Sequence, residues 1–131
     1  QAAYACASRY SGNYVVTLSV DQVFFREPIH VGELVTFYAS INYAGRTSME
    51  VGIKVVAENT RTRVQRHAMS SFFTMVAVDE KGVSTPVPKL VLETAEEQRR
   101  RDSAIARKKL REDYESALRA TRSDRIPDGG L

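Results

Sequence analysis

Two long β-patterned runs meet at a tight corner within Leu34 to Asn59, LVTFYASINYAGRTSMEVGIKVVAEN, and nothing else in the chain restricts the fold as strongly. In the first run Val35, Phe37, Ala39, Ile41 and Tyr43 share one face. In the second, Met49, Val51, Ile53, Val55 and Ala57 alternate with Glu50, Lys54 and Glu58. A period of two is the spacing of a strand with one face buried. The corner Ala44-Gly45-Arg46-Thr47-Ser48 therefore joins a hairpin whose strands are too long for a small barrel or sandwich. It sets a flexible Gly, a cation and two hydroxyls side by side at one sheet edge. Arg46 can fork onto phosphate oxygens, and Thr47, Ser48 and nearby backbone N–H groups can add neutral donors. The same residues also suit a plain hairpin turn, with Gly45 serving the backbone and Arg46 facing solvent.

The flanking segments fit a sheet. Gln1 to Arg9 reads as the last turns of a helix, stopped by Ser11-Gly12-Asn13 with Gly12 or Asn13 left-handed. Tyr14 to Phe25 is β-branched and aromatic, a strand or a strand with a bulge near Asp21, and Arg26-Glu27-Pro28 breaks it. Val31-Gly32-Glu33 makes a turn before the hairpin, and Asn59 to Arg63 a polar turn after it. Val64 to Val78 is a third long strand, closed by Asp79-Glu80-Lys81-Gly82, and Pro86 and Pro88 end the sheet.

Composition changes after Val91. Glu93 to Arg122 has no Gly or Pro and is dense in Glu, Arg, Lys and Ala, so it reads as a helix of about 45 Å. Its apolar stripe is thin (Ala95, Ile105, Leu110, Tyr114, Leu118), which suits a half-solvated helix or one packed on a neighbouring subunit. Asp124 to Leu131 reads as a flexible tail. From Val91 on, ten Lys and Arg stand against nine Asp and Glu, a net of +1. The interleaved acids mark a solvated helix and not a nucleic-acid arm.

Over the whole chain the charge is a mild +3, which by itself implies no nucleic-acid or membrane partner. A single cysteine, Cys6, excludes an internal disulfide framework and fits a reducing cytoplasm. No apolar run has membrane-spanning length. Position 1 is Gln and not Met, so the chain is expected to continue a longer gene product.

Five segments in one order carry a resemblance: Val16-Thr17-Leu18-Ser19-Val20-Asp21; Phe25 with Pro28-Ile29; Val31-Gly32-Glu33-Leu34-Val35; Gly45-Arg46-Thr47-Ser48-Met49; and Phe73-Thr74-Met75-Val76-Ala77-Val78-Asp79. Together they resemble the hotdog-fold acyl-CoA thioesterases, specifically the bacterial single-hotdog hydrolases with a helical tail. The resemblance implies an α+β hotdog fold, a long antiparallel sheet wrapped around a central helix, over residues 1–90. A C-terminal helical extension and tail then occupy 91–131. It implies hydrolysis of fatty acyl-CoA to free acid and coenzyme A, with no cofactor and no metal. It further implies a homo-oligomer, a dimer sharing one continuous sheet and a trimer of dimers, with a regulatory nucleotide entertained as a further partner. The family's catalytic Asp should stand immediately before Gln1, and its Gly-Gly turn further upstream at the helix entry, so this chain is expected to lack both and to be inactive alone. The first strand and half the central helix should also be missing, leaving the apolar face of the sheet badly covered.

The resemblance assigns Gly45, Arg46, Thr47 and Ser48 to the coenzyme A portion of the substrate. Ser70, Ser71 and Thr74 lie amid Phe72, Phe73 and Met75, either lining a channel or bonding to neighbouring strands as interior hydroxyls. Ser70 and Thr74 are carried forward as candidate substrate contacts. Asp21, read as the only carboxylate of the core-like strands, is expected to shape a bulge or pair with a cation. Arg61, Arg63 and Arg66 form a basic cluster open to a phosphate or to solvent. His30 and His67 lack ligand partners at metal spacing, and Cys6 among alanines reads as a small buried hydrophobe. The alternative to an enzyme is a hotdog module that senses acyl-CoA or a nucleotide without turnover. A hotdog dehydratase is disfavoured because Gln1 to Arg9 contains no His.

Overall fold

A computed structural model describes residues 1–21 and 23–123. The tail expected from Asp124 lies outside the described residues. The contacts divide the chain after Leu92, and the two units are taken separately.

The first unit opens with helix α1 (Ala2–Ser11), which ends because Gly12 adopts a left-handed φ of 70° and returns its N–H to the Ser8 carbonyl. Its buried residues are Ala3, Ala7 and Ser11, spaced four apart on one face. These small side chains let the helix axis come close to the sheet beneath. Five strands follow: β1 (Tyr14–Val20), β2 (Phe24–Phe25), β3 (Leu34–Ala44), β4 (Ser48–Glu58) and β5 (Gln65–Val78). All pairings are antiparallel, in the order β1-β5-β4-β3, with β2 also on β5. The expected hotdog arrangement, a long antiparallel sheet laid across one helix, is what forms.

The stretch read as one strand from Tyr14 to Phe25 is two. β1 pairs with Phe73–Val78 and β2 with Met69 and Ser70, and between them Asp21 N–H donates to the Phe72 carbonyl at 2.8 Å. The core lies between α1 and one face of the sheet: Ala3 and Ala7 of the helix against Val15, Met49, Val51, Ile53, Val55, Met75 and Ala77. That face is only partly covered. Phe25 and Phe37, which pair with Met69 and Val55, are exposed large apolar residues.

Register shifts interrupt the ladders at Thr17/Ser19, Ile41/Tyr43 and Val55/Val56. Each inserts one residue in one strand and bends the sheet. The shift in β3 corrects the expected face pattern. Beyond it Tyr43 pairs with Glu50, so Tyr43 lies on the face away from α1 and not with Ile41.

After β5, the Asp79 carboxylate accepts the N–H groups of Lys81 and Val83, and Gly82 at φ 79° completes the turn. The chain then doubles back as a strap: Thr85 N–H donates to Ala77 O, Val87 N–H to Arg46 O, and Tyr10 Oη to Pro88 O at 2.8 Å.

The second unit is helix α2 (Ala95–Ser123). Thr94 caps its start, accepting the Glu97 N–H through Oγ1, while the Glu97 carboxylate takes the Glu93 N–H. Glu96 and Glu97 in the first turn and Arg122 in the last complement the helix dipole. No described helix is long and apolar enough to cross a membrane.

Candidate functional site

The hairpin corner is held by its backbone. Gly45 N–H donates to Ser48 O at 2.8 Å, Thr47 O accepts from Ala77 N–H at 2.9 Å, and Arg46 O accepts from Val87 N–H at 2.9 Å. One bond closes the turn, one ties it to β5 and one to the strap. Gly45 is not at positive φ. A side chain there would instead crowd the turn, since a Cβ would stand 3.3 Å from Ser48 Oγ and 3.6 Å from the Tyr43 ring. The Arg46 side chain projects from this frame, exposed and without an ion-pair partner among the described residues. A fixed backbone carrying an uncommitted guanidinium beside two hydroxyls can dock an anion with little ordering of its own.

Thr74 joins this neighbourhood and Ser70 does not. Thr74 pairs with Glu50, two residues along β4 from Ser48 and on the same face. Ser70 pairs with Lys54, six residues from Ser48, about 20 Å along the strand at the usual rise. There it faces His67, whose Nε2 stands 2.7 Å from Ser70 Oγ and 3.2 Å from Met69 O. Ser71 is buried on the α1 side opposite Ile53. The six candidate residues thus divide into a corner group with Thr74 and a remote Ser70.

Two residues that the sequence reading passed over are among the most buried polar groups of the sheet. Asn42 is 4% and Glu50 5% exposed, and Asn42 Nδ2 donates to Glu50 Oε1 at 3.1 Å. Glu50, not Asp21, is the carboxylate built into the sheet interior. Across β5 from it, Thr74 Oγ1 and its cross-strand neighbour Ser19 Oγ are buried with no hydrogen-bond partner among the described residues. The signal for Glu50 was present: an acid in an alternating strand, with Gly52 two residues on. The signal for Asn42 required knowing that β3 bulges.

The basic cluster also divides. Arg66 is committed to Glu33, while Asn59 organises the turn by accepting the Arg61 and Thr62 N–H groups, leaving the Arg61 and Arg63 side chains exposed. Arg63 takes φ 61°, a conformation rare outside Gly and Asn, held by its N–H to Asn59 O at 2.7 Å. On α1, burial pushes the Cys6 thiol above its ordinary pKa, the behaviour of an inert small hydrophobe. Thr17 Oγ1 donates to Met75 Sδ at 3.3 Å, across the β1–β5 pairing. Among the described residues no group of His, Cys, Asp or Glu could hold a metal ion.

Comparison with known proteins gives a consistent picture. Residues 1–64 match the family model of the thioesterase superfamily. Over 109 residues the chain is 54% identical to protein VdlD of Helicobacter pylori, covering 83% of this chain and 62% of VdlD. It therefore spans less than two thirds of that curated relative's length. Among solved structures, an apo-hexameric acyl-CoA thioesterase superposes with a TM-score of 0.82 at 38% identity, over 86% of this chain and 72% of the other. An acyl-CoA hydrolase of Staphylococcus aureus, in complex with butyryl coenzyme A, coenzyme A and coenzyme A disulfide, superposes with a TM-score of 0.83 at 30% identity. That match covers 92% of this chain and 74% of the other.

Proposed function

This chain belongs to the thioesterase superfamily, and from that premise we propose that it forms the hotdog part of an enzyme hydrolysing fatty acyl-CoA to free acid and coenzyme A. The observation that carries the reading is the Gly45–Ser48 corner, where a backbone-fixed turn presents the exposed Arg46 guanidinium beside Thr47 and Ser48. The coenzyme's phosphate groups are anionic at neutral pH, and a forked cation with flanking hydroxyls suits them. The coenzyme A complex of the Staphylococcus aureus hydrolase supports the same ligand class. We assign the corner to binding and assign the attacking group to no residue of this chain.

The oligomer belongs to this reading. Among the described residues β1 pairs only with β5, and Tyr14, Val16, Leu18 and Val20 are all exposed. An uncharged, apolar strand edge of this kind invites a second strand. A homo-oligomer built on that edge accords with the hexameric relative. A cytoplasmic location goes with it, supported by the lone cysteine and by the coenzyme A substrate.

Release of free thiol from acyl-CoA substrates of short to long chain by the full-length protein tests the proposal, with Arg46→Ala as the companion. Turnover by the protein, and a KM or Kd raised about tenfold by Arg46→Ala, is the expected result, the size of one charge-assisted contact. Saturable coenzyme A binding without thiol release favours the module that senses acyl-CoA or a nucleotide. No binding at all removes both readings.

A further inference from the structure

Asn42, Glu50 and Gly52 form one unit on the sheet face away from α1. β3 carries one residue more than β4 between Ile41 and Tyr43, and Asn42 is that extra residue. Its side chain is buried, donating from Nδ2 to Glu50 Oε1 at 3.1 Å and accepting from Ser40 Oγ at Oδ1 at 3.0 Å. It lies flat over Gly52. A Cβ at that position would come to 2.5 Å from Nδ2 and 3.3 Å from both Cγ and Oδ1. Gly52 is at no unusual backbone angle, so what it provides is room.

The place of this unit in the hairpin gives it a task. Asn42 stands two residues before the end of β3 and Glu50 two residues after the start of β4, so their bond closes the neck of the hairpin just below the corner. A bulge there must be held in one position. Without the extra residue Tyr43 and Ala44 would exchange faces, because side chains alternate with a period of two. A buried amide-to-carboxylate hydrogen bond favours one register, since a slipped register breaks the bond from Asn42 Nδ2 to Glu50. The corner then receives its fixed height above β5, where Ala77 N–H meets Thr47 O.

We propose that the Asn42–Glu50 pair, seated on Gly52, positions the Gly45–Ser48 corner for the phosphate groups of a thioester coenzyme. Asn42 and Glu50 are positioning residues: neither touches the ligand, and both act through the register of the corner. The inference rests on the corner's assignment to coenzyme A and is tested so that the two can fail separately.

The test uses this chain with Asn42→Ala, Asn42→Asp, Gly52→Ala and the double variant Asn42→Ala/Gly52→Ala, beside Arg46→Ala. Two quantities are read: amide hydrogen exchange at Gly45 and Ala77 by NMR, with Met69 as a distant control, and the Kd for desulfo-coenzyme A by calorimetry. Asn42→Ala and Gly52→Ala are each expected to speed exchange at Gly45 about tenfold and to weaken coenzyme binding about tenfold, the scale of one lost buried hydrogen bond. Met69 should not change. Asn42→Asp keeps the size and removes the donor, and should do at least as much. Gly52→Ala should add little once Asn42 is Ala, because the atom it crowds is gone. If Asn42→Ala does not fold, Asn42→Ser, too short to reach Glu50, takes its place. Unchanged Gly45 exchange in these variants overturns the proposal. So does unchanged affinity in Asn42→Ala when Arg46→Ala weakens binding, and then the corner assignment stands. Unchanged affinity in Arg46→Ala removes the corner assignment itself, and the proposal with it.

Discussion

Arg66 and Glu33 meet as a forked pair. Nη1 and Nη2 of the guanidinium donate to Oε2 and Oε1 of the carboxylate at 2.7 and 2.8 Å. Glu33 Oε1 also accepts the His30 N–H at 2.7 Å, and Arg66 Nη2 reaches the Pro28 carbonyl at 2.8 Å. Two residues thereby tie the segment between β2 and β3 to the start of β5. Arg66 therefore does not join Arg61 and Arg63 as a basic cluster, because its guanidinium is committed to Glu33.

The pair predicts a pH dependence with a definite sign. The hydrogen bonds from Arg66, and then that from the His30 N–H, hold the Glu33 carboxyl at about 2, well below its ordinary 4.5. A carboxyl whose folded-state pKa is depressed contributes stability that is complete above its unfolded value and is lost as pH falls through the folded one. The difference in melting temperature between the parent chain and Glu33→Gln should therefore be constant near neutrality. It should narrow between pH 4.5 and pH 2. A difference that does not vary with pH over that window would show that Glu33 is not held as described.

Much of the fold was legible because the hydrophobic period is clean. Met49, Val51, Ile53 and Val55 alternate without a break, and all four are core. The helix stop at Gly12 is equally plain, since glycine takes the left-handed terminating conformation at no Cβ cost. What escaped the sequence is what depends on register. A bulge costs no pattern until the partner strand is known, so Tyr43 was placed on the wrong face and Asn42 passed unnoticed. Glu50 alternated correctly, but its burial depends on neighbours in β3 and β5 that no local window contains. Ser70 and Thr74 looked like one set because they share a strand face. The pairings of β4 put Lys54 opposite one and Glu50 opposite the other.

Met75 should be among the most costly truncations. It is 1% exposed, packs between β1 and β4 beneath α1, and receives the Thr17 hydroxyl at its sulfur. Met75→Ala removes buried methylene surface and leaves a cavity in a sheet core that cannot readily collapse, a loss of about 2–5 kcal/mol. Urea unfolding should show a lower midpoint with an unchanged slope. A loss below about 1 kcal/mol would mean that the core around Met75 is loosely packed.

Gly12 isolates the backbone contribution at the end of α1. Its φ is 70°, yet a Cβ there would meet nothing within 4 Å. Gly12→Ala therefore carries no clash and should cost about 1 kcal/mol through the left-handed conformation alone. Gly12→Asn, which tolerates that conformation better, should cost less. Equal losses for the two variants, measured by thermal melts, would mean that the end of α1 rearranges instead of keeping its left-handed cap.

The open edge of β1 gives a prediction about assembly. Val16 sits in the regular part of the ladder opposite Val76, is 49% exposed, and among the described residues has no strand on its other side. If a second copy adds its own β1 there, the new ladder brings side chains from both copies close together along the edge. Val16→Lys then places cations near the seam, and like charges there oppose pairing, as native edges use lysine to do. The variant's own sheet should survive, because Val16 lies outside the buried core. Sedimentation velocity of parent and Val16→Lys at equal concentration should show the assembly fall to a smaller species, with circular dichroism unchanged. A sedimentation coefficient that stays the same would place the contact between copies on another surface.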